Sequence, residues 1–126
     1  MPLDLGAVWV VTFAGTGISA KFAEVGGADM ITTHILARFR MAGLESMAGY
    51  LSIADANALT LELGKRDIIP VVKNTPVMAG LLGTDPTRDM DSFLEEVIAA
   101  GFSGLLNWPT IALVDGTSEG PWKKLG

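Results

Sequence analysis

Residues 77–106 read VMAGLLGTDPTRDMDSFLEEVIAAGFSGLL, and this one stretch sets the class of fold. Val77 to Leu82 is a short, nearly unbroken apolar run, the pattern of a strand covered on both faces. Gly83-Thr84-Asp85-Pro86 breaks the run, with Asp85 placed to cap a helix and Pro86 at its first position. Met90, Phe93, Leu94, Val97 and Ile98 then recur at helical spacing, expected to face the core. Asp89, Asp91, Glu95 and Glu96 lie outward, and Gly101 closes the helix. Phe102 to Leu106 is the next strand. Strand, helix and strand in that order make a βαβ unit with parallel strands and a right-handed crossover.

The same alternation extends upstream. Residues 7–14, AVWVVTFA, form a continuous β-rich run that predicts another strand buried on both faces, ended by Gly15-Thr16-Gly17. Ile18, Phe22 and Val25 recur at helical spacing, and Gly26-Gly27 supplies the stop. Asp29 to Thr33 reads as a short second strand. From His34 to Ser52 there is no clean period, and Gly43 and Gly49 interrupt it, so this segment reads as a long loop with at most a helical turn. Asp55 is placed to cap a helix reaching about Lys65, with Ala56, Leu59 and Leu63 on one face. Glu62 and Arg66 make an i,i+4 pair worth about 0.3 kcal/mol. Pro70 to Lys73 connects helix to strand. Downstream, Asn107-Trp108-Pro109-Thr110 follows the fourth strand, then Ile111 to Val114, a turn at Asp115-Gly116, and a frayed tail over 118–126. The expectation is an α/β fold: one domain over 1–126, with four parallel βα units.

Composition narrows the function classes. The chain has 126 residues, 49% apolar and 18% charged, which is globular and far from disorder. A net charge of −5, from nine Lys and Arg against fourteen acids, supplies no basic face for a phosphate backbone, so no nucleic-acid partner is expected. No run approaches the ~18 apolar residues of a membrane span, and the N-terminus lacks a signal peptide's basic region. Zero Cys removes disulfides, thiolate nucleophiles and Cys-based metal sites together. A cytoplasmic protein without membrane association is the expectation.

Several segments, taken in order, resemble one family. Gly15-Thr16-Gly17-Ile18-Ser19-Ala20-Lys21 is similar to the end of its first strand. Gly26-Gly27-Ala28-Asp29 and Arg38-Phe39-Arg40-Met41-Ala42-Gly43 are similar to its second unit, and Asp55-Ala56-Asn57 to the next helix. Pro70 to Val77 with Gly83-Thr84-Asp85-Pro86, and Asn107-Trp108-Pro109-Thr110 with Asp115-Gly116-Thr117, resemble the third and fourth units. The chain thus resembles the phosphoenolpyruvate hydrolase-like family, TIM-barrel proteins named for that hydrolase or for signal transduction. A related barrel sits in a plant antiviral resistance protein. The resemblance implies a closed barrel of roughly 250 residues, of which this chain carries about four of the eight units. Three positions depart from the family pattern: His34 to Ala37 stand for a polar Asn-Ser-Gly, Leu82 for a Cys, and Leu106 for a Gln.

In closed barrels chemistry sits at the C-terminal ends of the strands. That rule selects Gly15, Thr16, Gly17, His34, Arg38, Arg40, Gly83, Thr84, Asp85, Asn107 and Thr110. Gly15-Thr16-Gly17 either presents N–H groups to an anion at a helix N-terminus or is a tight turn with Thr16 or Ser19 capping. Arg38 and Arg40, two apart on an extended segment, would share a face and clamp an oxyanion bidentately; the alternative is a solvated pair. Asp85 is either a base or Mg²⁺ ligand, or a helix start. No motif specifies a metal, and the cofactor stays open. His34, the sole imidazole, reads first as a satisfied polar residue. Asn107 can orient a substrate oxygen. Two functions follow from the resemblance. One binds or hydrolyses a small phosphorylated or carboxylated metabolite, with Asp85 and Arg38 catalytic. The other is a non-catalytic interaction or signalling module. Four strands leave two open sheet edges, so a homo-oligomer is expected, with another polypeptide as partner the alternative.

Overall fold

A computed structural model describes residues 8–50 and 53–108. Strands β1 (Val11–Phe13), β2 (Met30–Thr33), β3 (Val77–Leu81) and β4 (Gly104–Asn107) form one sheet in the order β1-β2-β3-β4. Every neighbouring pair is parallel. Helices α1 (Gly17–Val25), α2 (Ile35–Met41), α3 (Ala56–Leu63) and α4 (Met90–Ala99) lie in the crossovers. This is the expected α/β architecture: four parallel strands joined by three helical crossovers, consistent with half of an eight-stranded barrel.

The core lies between sheet and helices. Ile31, Val77, Ala79 and Leu81 project from the strands onto Ala20, Leu61, Ile68, Val97 and Phe102, all buried. Each large side chain among them contributes about 1.5–3 kcal/mol. Alternation sends Val11, Phe13, Met78 and Leu106 to the opposite face of the sheet. On that face Thr32 and His34 are buried, while Val11 and Phe13 at the β1 side stay 45% and 51% exposed.

Several expectations are corrected here. Strand 7–14 shrinks to Val11–Phe13 and is not buried on both faces, because among the described strands β1 lies at the edge of the sheet and its side chains stay largely exposed. Ile18, Phe22 and Val25 face outward, 61–74% exposed, while Ala20 and Ala23 on the other side of α1 pack inward. Leu59 and Ile98 likewise turn out toward solvent. The loop expected over 34–52 holds α2 and a 3-10 turn, Ser46–Tyr50. A seven-residue helix is too short to display a period. The imidazole of His34 makes it possible, its Nδ1 accepting the Ala37 N–H at 3.1 Å as an N-cap. Gly43, at φ 83°, follows its end. α4 begins at Met90 rather than at Pro86, because Asp85 folds its carboxylate back onto the Thr87 N–H at 2.9 Å in an Asx-type turn. The fourth strand begins two residues late, at Gly104, and Phe102 drops into the core instead.

Asp55 caps α3 as expected, accepting the Ala58 N–H at 2.9 Å. Glu62 and Arg66 pair at 2.7 Å on its exposed side. α3 continues through a π-helical turn, Gly64–Ile68, and the chain then reaches β3 through a segment held by Glu24. The Glu24 carboxylate accepts the N–H groups of Lys73 (3.0 Å), Asn74 (2.9 Å) and Thr75 (2.7 Å). These donors, Lys73 foremost, lower its pKa from 4.5 to about 2. A depressed carboxyl stabilises the fold fully above pH 4.5, and this contribution fades as pH falls toward 2. Glu24→Gln is therefore expected to lower the Tm at neutral pH, with variant and parent converging in acid. A constant difference across that range in thermal melts would refute the role of the charge. No helix among the described residues is long and apolar enough to cross a membrane.

Candidate functional site

The strand ends carry two separate groups of side chains. The first surrounds the turn after β1. Thr16 and Ser19 form a reciprocal capping box at the start of α1: Thr16 Oγ1 accepts the Ser19 N–H and Ser19 Oγ accepts the Thr16 N–H, both at 3.3 Å. The capping alternative for Gly15-Thr16-Gly17 is thus realised, which engages the Thr16 N–H internally. The Gly15 N–H points at Met41 Sδ, 3.3 Å away, a weak acceptor that leaves this donor available for a better one. Gly15 itself lies against the Ala37 carbonyl and the Arg38 amide of α2, and Gly17 against the Asp67 carbonyl of the π-helical turn. The turn after β1 therefore bridges α2 and the end of α3.

Beside this bridge lies a cleft of about 310 Å³ lined by Arg38, Leu59, Glu62, Leu63, Arg66 and Asp67. Two arginines thus line one concavity, together with the acidic Glu62 and Asp67. Arg66 is bound on one side to Glu62. Arg40 is not part of the cleft. The joint clamp rested on an extended segment, whereas in α2 residues two apart point about 200° away from each other. Arg40 turns instead to Ser46, donating from Nε to Oγ at 2.7 Å. Arg66 enters in its place, a residue whose sequence signal, the i,i+4 spacing from Glu62, indicated only a surface pair.

The second group closes the loop after β3. Asn57, buried on α3, accepts the Leu82 N–H at 2.7 Å and donates Nδ2 to the Leu82 carbonyl and to Asp85 Oδ2 at 3.1 and 3.0 Å. Arg88 bridges the Asp85 and Asp55 carboxylates. The Thr87 hydroxyl and N–H, then Arg88, hold the Asp85 carboxyl well below the usual range, and Arg88 lowers the pKa of Asp55. The two carboxylates in turn raise the Arg88 pKa. Asp85 is thus an ionised carboxylate surrounded by donors. A carboxylate so saturated is a weak proton acceptor, and its neighbours Asn57, Thr87 and Arg88 do not make an oxygen cage for Mg²⁺. Gly83 donates its N–H to Asn107 Oδ1 at 3.0 Å, tying the β3 loop to β4. Thr84 lies in the exposed turn beside it, and Thr110 lies outside the described residues.

His34 sits between these groups on the face of the sheet away from the helices. It is 1% exposed, edge-on to Phe13 at 5.1 Å and to Trp108 at 6.2 Å between ring centroids. Burial, and secondarily the Arg40 charge, lower its pKa from 6.5 to about 4. It is a neutral imidazole at physiological pH, with Nδ1 committed to the helix cap.

A parallel βα half-barrel with ordered loops after β1 and β3 and a cleft lined by Arg38 and Arg66 is the class these features define. The chain belongs to the phosphoenolpyruvate hydrolase-like family, whose model matches residues 3–125. Two tomato (Solanum lycopersicum) proteins, the ToMV resistance protein Tm-1(GCR237) and the ToMV susceptible protein tm-1(GCR26), are each 53% identical to it over 103 residues. That stretch is 82% of this chain and 14% of each relative. A putative transcriptional regulatory protein, y4pA, of Sinorhizobium fredii is 35% identical over 102 residues, 81% of this chain and 17% of that protein. The chain therefore spans under a fifth of the length of these curated relatives.

Proposed function

We propose that this chain is a phosphoenolpyruvate hydrolase-like barrel unit that binds a small phosphorylated or carboxylated metabolite, with Arg38 as the primary anion ligand. The observation that carries this reading is the cleft lined by both Arg38 and Arg66, with the Arg38 and Asp67 backbone packed on Gly15 and Gly17. Guanidinium groups bind phosphate and carboxylate bidentately. Hydrolysis of such a ligand requires charge stabilisation at the oxyanion and an activated water. Arg38 supplies the first. Asp85, the residue taken as base, is engaged by Arg88 and Thr87 and would act by shaping the β3 loop.

Titration calorimetry with phosphoenolpyruvate tests the reading. Arg38→Ala is expected to weaken binding by about 10- to 100-fold, the loss of one charge-assisted contact pair. Absence of binding by the parent, or equal binding by the variant, would remove the proposal. The second reading is a non-catalytic interaction module, favoured by the exposed apolar side chains of β1 and α1 and consistent with the names of the resistance and regulatory relatives.

A further inference from the structure

The cleft that holds Arg38 carries as many acids as arginines. Arg38 and Arg66 line it together with Glu62 and Asp67, and Leu59 and Leu63 add apolar surface. The four charges are not equivalent. Glu62 and Arg66 close on each other at 2.7 Å and neutralise one another. Arg38 and Asp67 make no salt bridge with any other described residue, so both charges are left for a ligand. They come from different elements, Arg38 from α2 and Asp67 from the π-helical turn that continues α3. One short turn holds both in place: Gly15 packs on the backbone of Arg38 and Gly17 on that of Asp67. Asp67 also lies at the C-terminal end of a helical run, where the negative pole of the helix adds to its attraction for a cation.

We infer that the ligand of this cleft is a zwitterion, a small amino acid with an apolar side chain. The inference rests on the anion-binding reading of Arg38 and narrows it from any phosphorylated or carboxylated metabolite to an aminocarboxylate. The Arg38 guanidinium takes the carboxylate, Asp67 takes the ammonium group, and Leu59 and Leu63 meet the aliphatic part. Charge decides between the candidate ligands. The cleft residues are neutral in sum, and so is an amino acid. A phosphate group alone carries about −1.5 to −2 at neutral pH. A phosphorylated acid would saturate Arg38 and set its remaining charge against Asp67, a repulsion that selects against it. Size agrees, since about 310 Å³ lies at the small end of the range for small-molecule sites.

Titration calorimetry on the whole 126-residue chain decides it, with L-leucine, 4-methylpentanoate, 3-methylbutylamine and phosphoenolpyruvate as probes. The second and third probes are the leucine skeleton without its ammonium or its carboxylate. L-Leucine is expected to bind about 10-fold more tightly than either, and more tightly than phosphoenolpyruvate. Asp67→Asn should weaken L-leucine about 10-fold, leave 4-methylpentanoate unchanged and strengthen phosphoenolpyruvate roughly 3-fold by removing a like charge. Opposite shifts for two ligands in one variant are a result that a folding defect does not give. L-Leucine bound no more tightly than 4-methylpentanoate, or unaffected by Asp67→Asn, overturns the inference. Phosphoenolpyruvate bound more tightly than L-leucine and lost in Arg38→Ala overturns it too, while the anion reading of Arg38 stands. A parent that binds none of the four overturns both.

Discussion

Gly15→Ala is expected to lower the Tm by on the order of 10–15 °C, the effect of about 3 kcal/mol in a domain of this size. The Cα of Gly15 lies so close to the Ala37 carbonyl and the Arg38 amide that an added methyl group would occupy the same space. The obstructing atoms are backbone atoms of the first turns of α2, which cannot rotate aside as a side-chain tip does. To admit the methyl, α2 must move away from the turn after β1. That movement takes the His34 cap, the Met41 contact with Gly15 and the wall of the Arg38 cleft with it. The variant should therefore lose both stability and anion binding. Thermal denaturation followed by circular dichroism is the check, with exposed Lys65→Ala as a control expected to stay within about 0.5 kcal/mol. An unchanged melt for Gly15→Ala would show that α2 does not pack on this turn.

Asn57→Ala is expected to cost roughly 2–4 kcal/mol. The side chain is 2% exposed and satisfies both the N–H and the carbonyl of Leu82, so its removal leaves two backbone groups without partners at about 1–3 kcal/mol each. It also releases one of the donors to Asp85. Asn57→Asp makes a sharper test of the same geometry. It retains an acceptor for the Leu82 N–H and places a second carboxylate against Asp85 and the Leu82 carbonyl. Its stability should fall at least as far as that of the alanine variant, and should recover as acid protonates the new group. Equal melts for Asn57→Asp and the parent at neutral pH would contradict the hydrogen-bond assignment at the β3 loop.

Local chemistry determined much of this protein before any tertiary contact is considered. The βαβ alternation, the parallel sheet, the cap at Asp55 and the Glu62–Arg66 pair all follow from periods and spacings, because strands, helix interiors and caps are set by neighbours in sequence. The family resemblance was carried by motifs spread over the same units, and the match over residues 3–125 agrees with it. Other features depend on partners far along the chain. α2 exists because a buried His34 caps it, and it is too short to announce itself by periodicity. Asp85 turns from a helix cap into the centre of an Arg88 network because Asn57, 28 residues earlier, reaches its carboxylate. Arg38 shares its cleft with Arg66 rather than Arg40 because a helix turns positions two apart away from each other, while Arg66 follows α3 along the opposite wall of the same cleft. The orientation of α1 is the clearest case. Its apolar stripe of Ile18, Phe22 and Val25 is legible in the sequence, but which side of the helix meets the sheet was decided by the close packing of Ala20 and Ala23. Periodicity reports that a helix has an apolar face. Only the tertiary structure shows that this face points away from the core of the single chain.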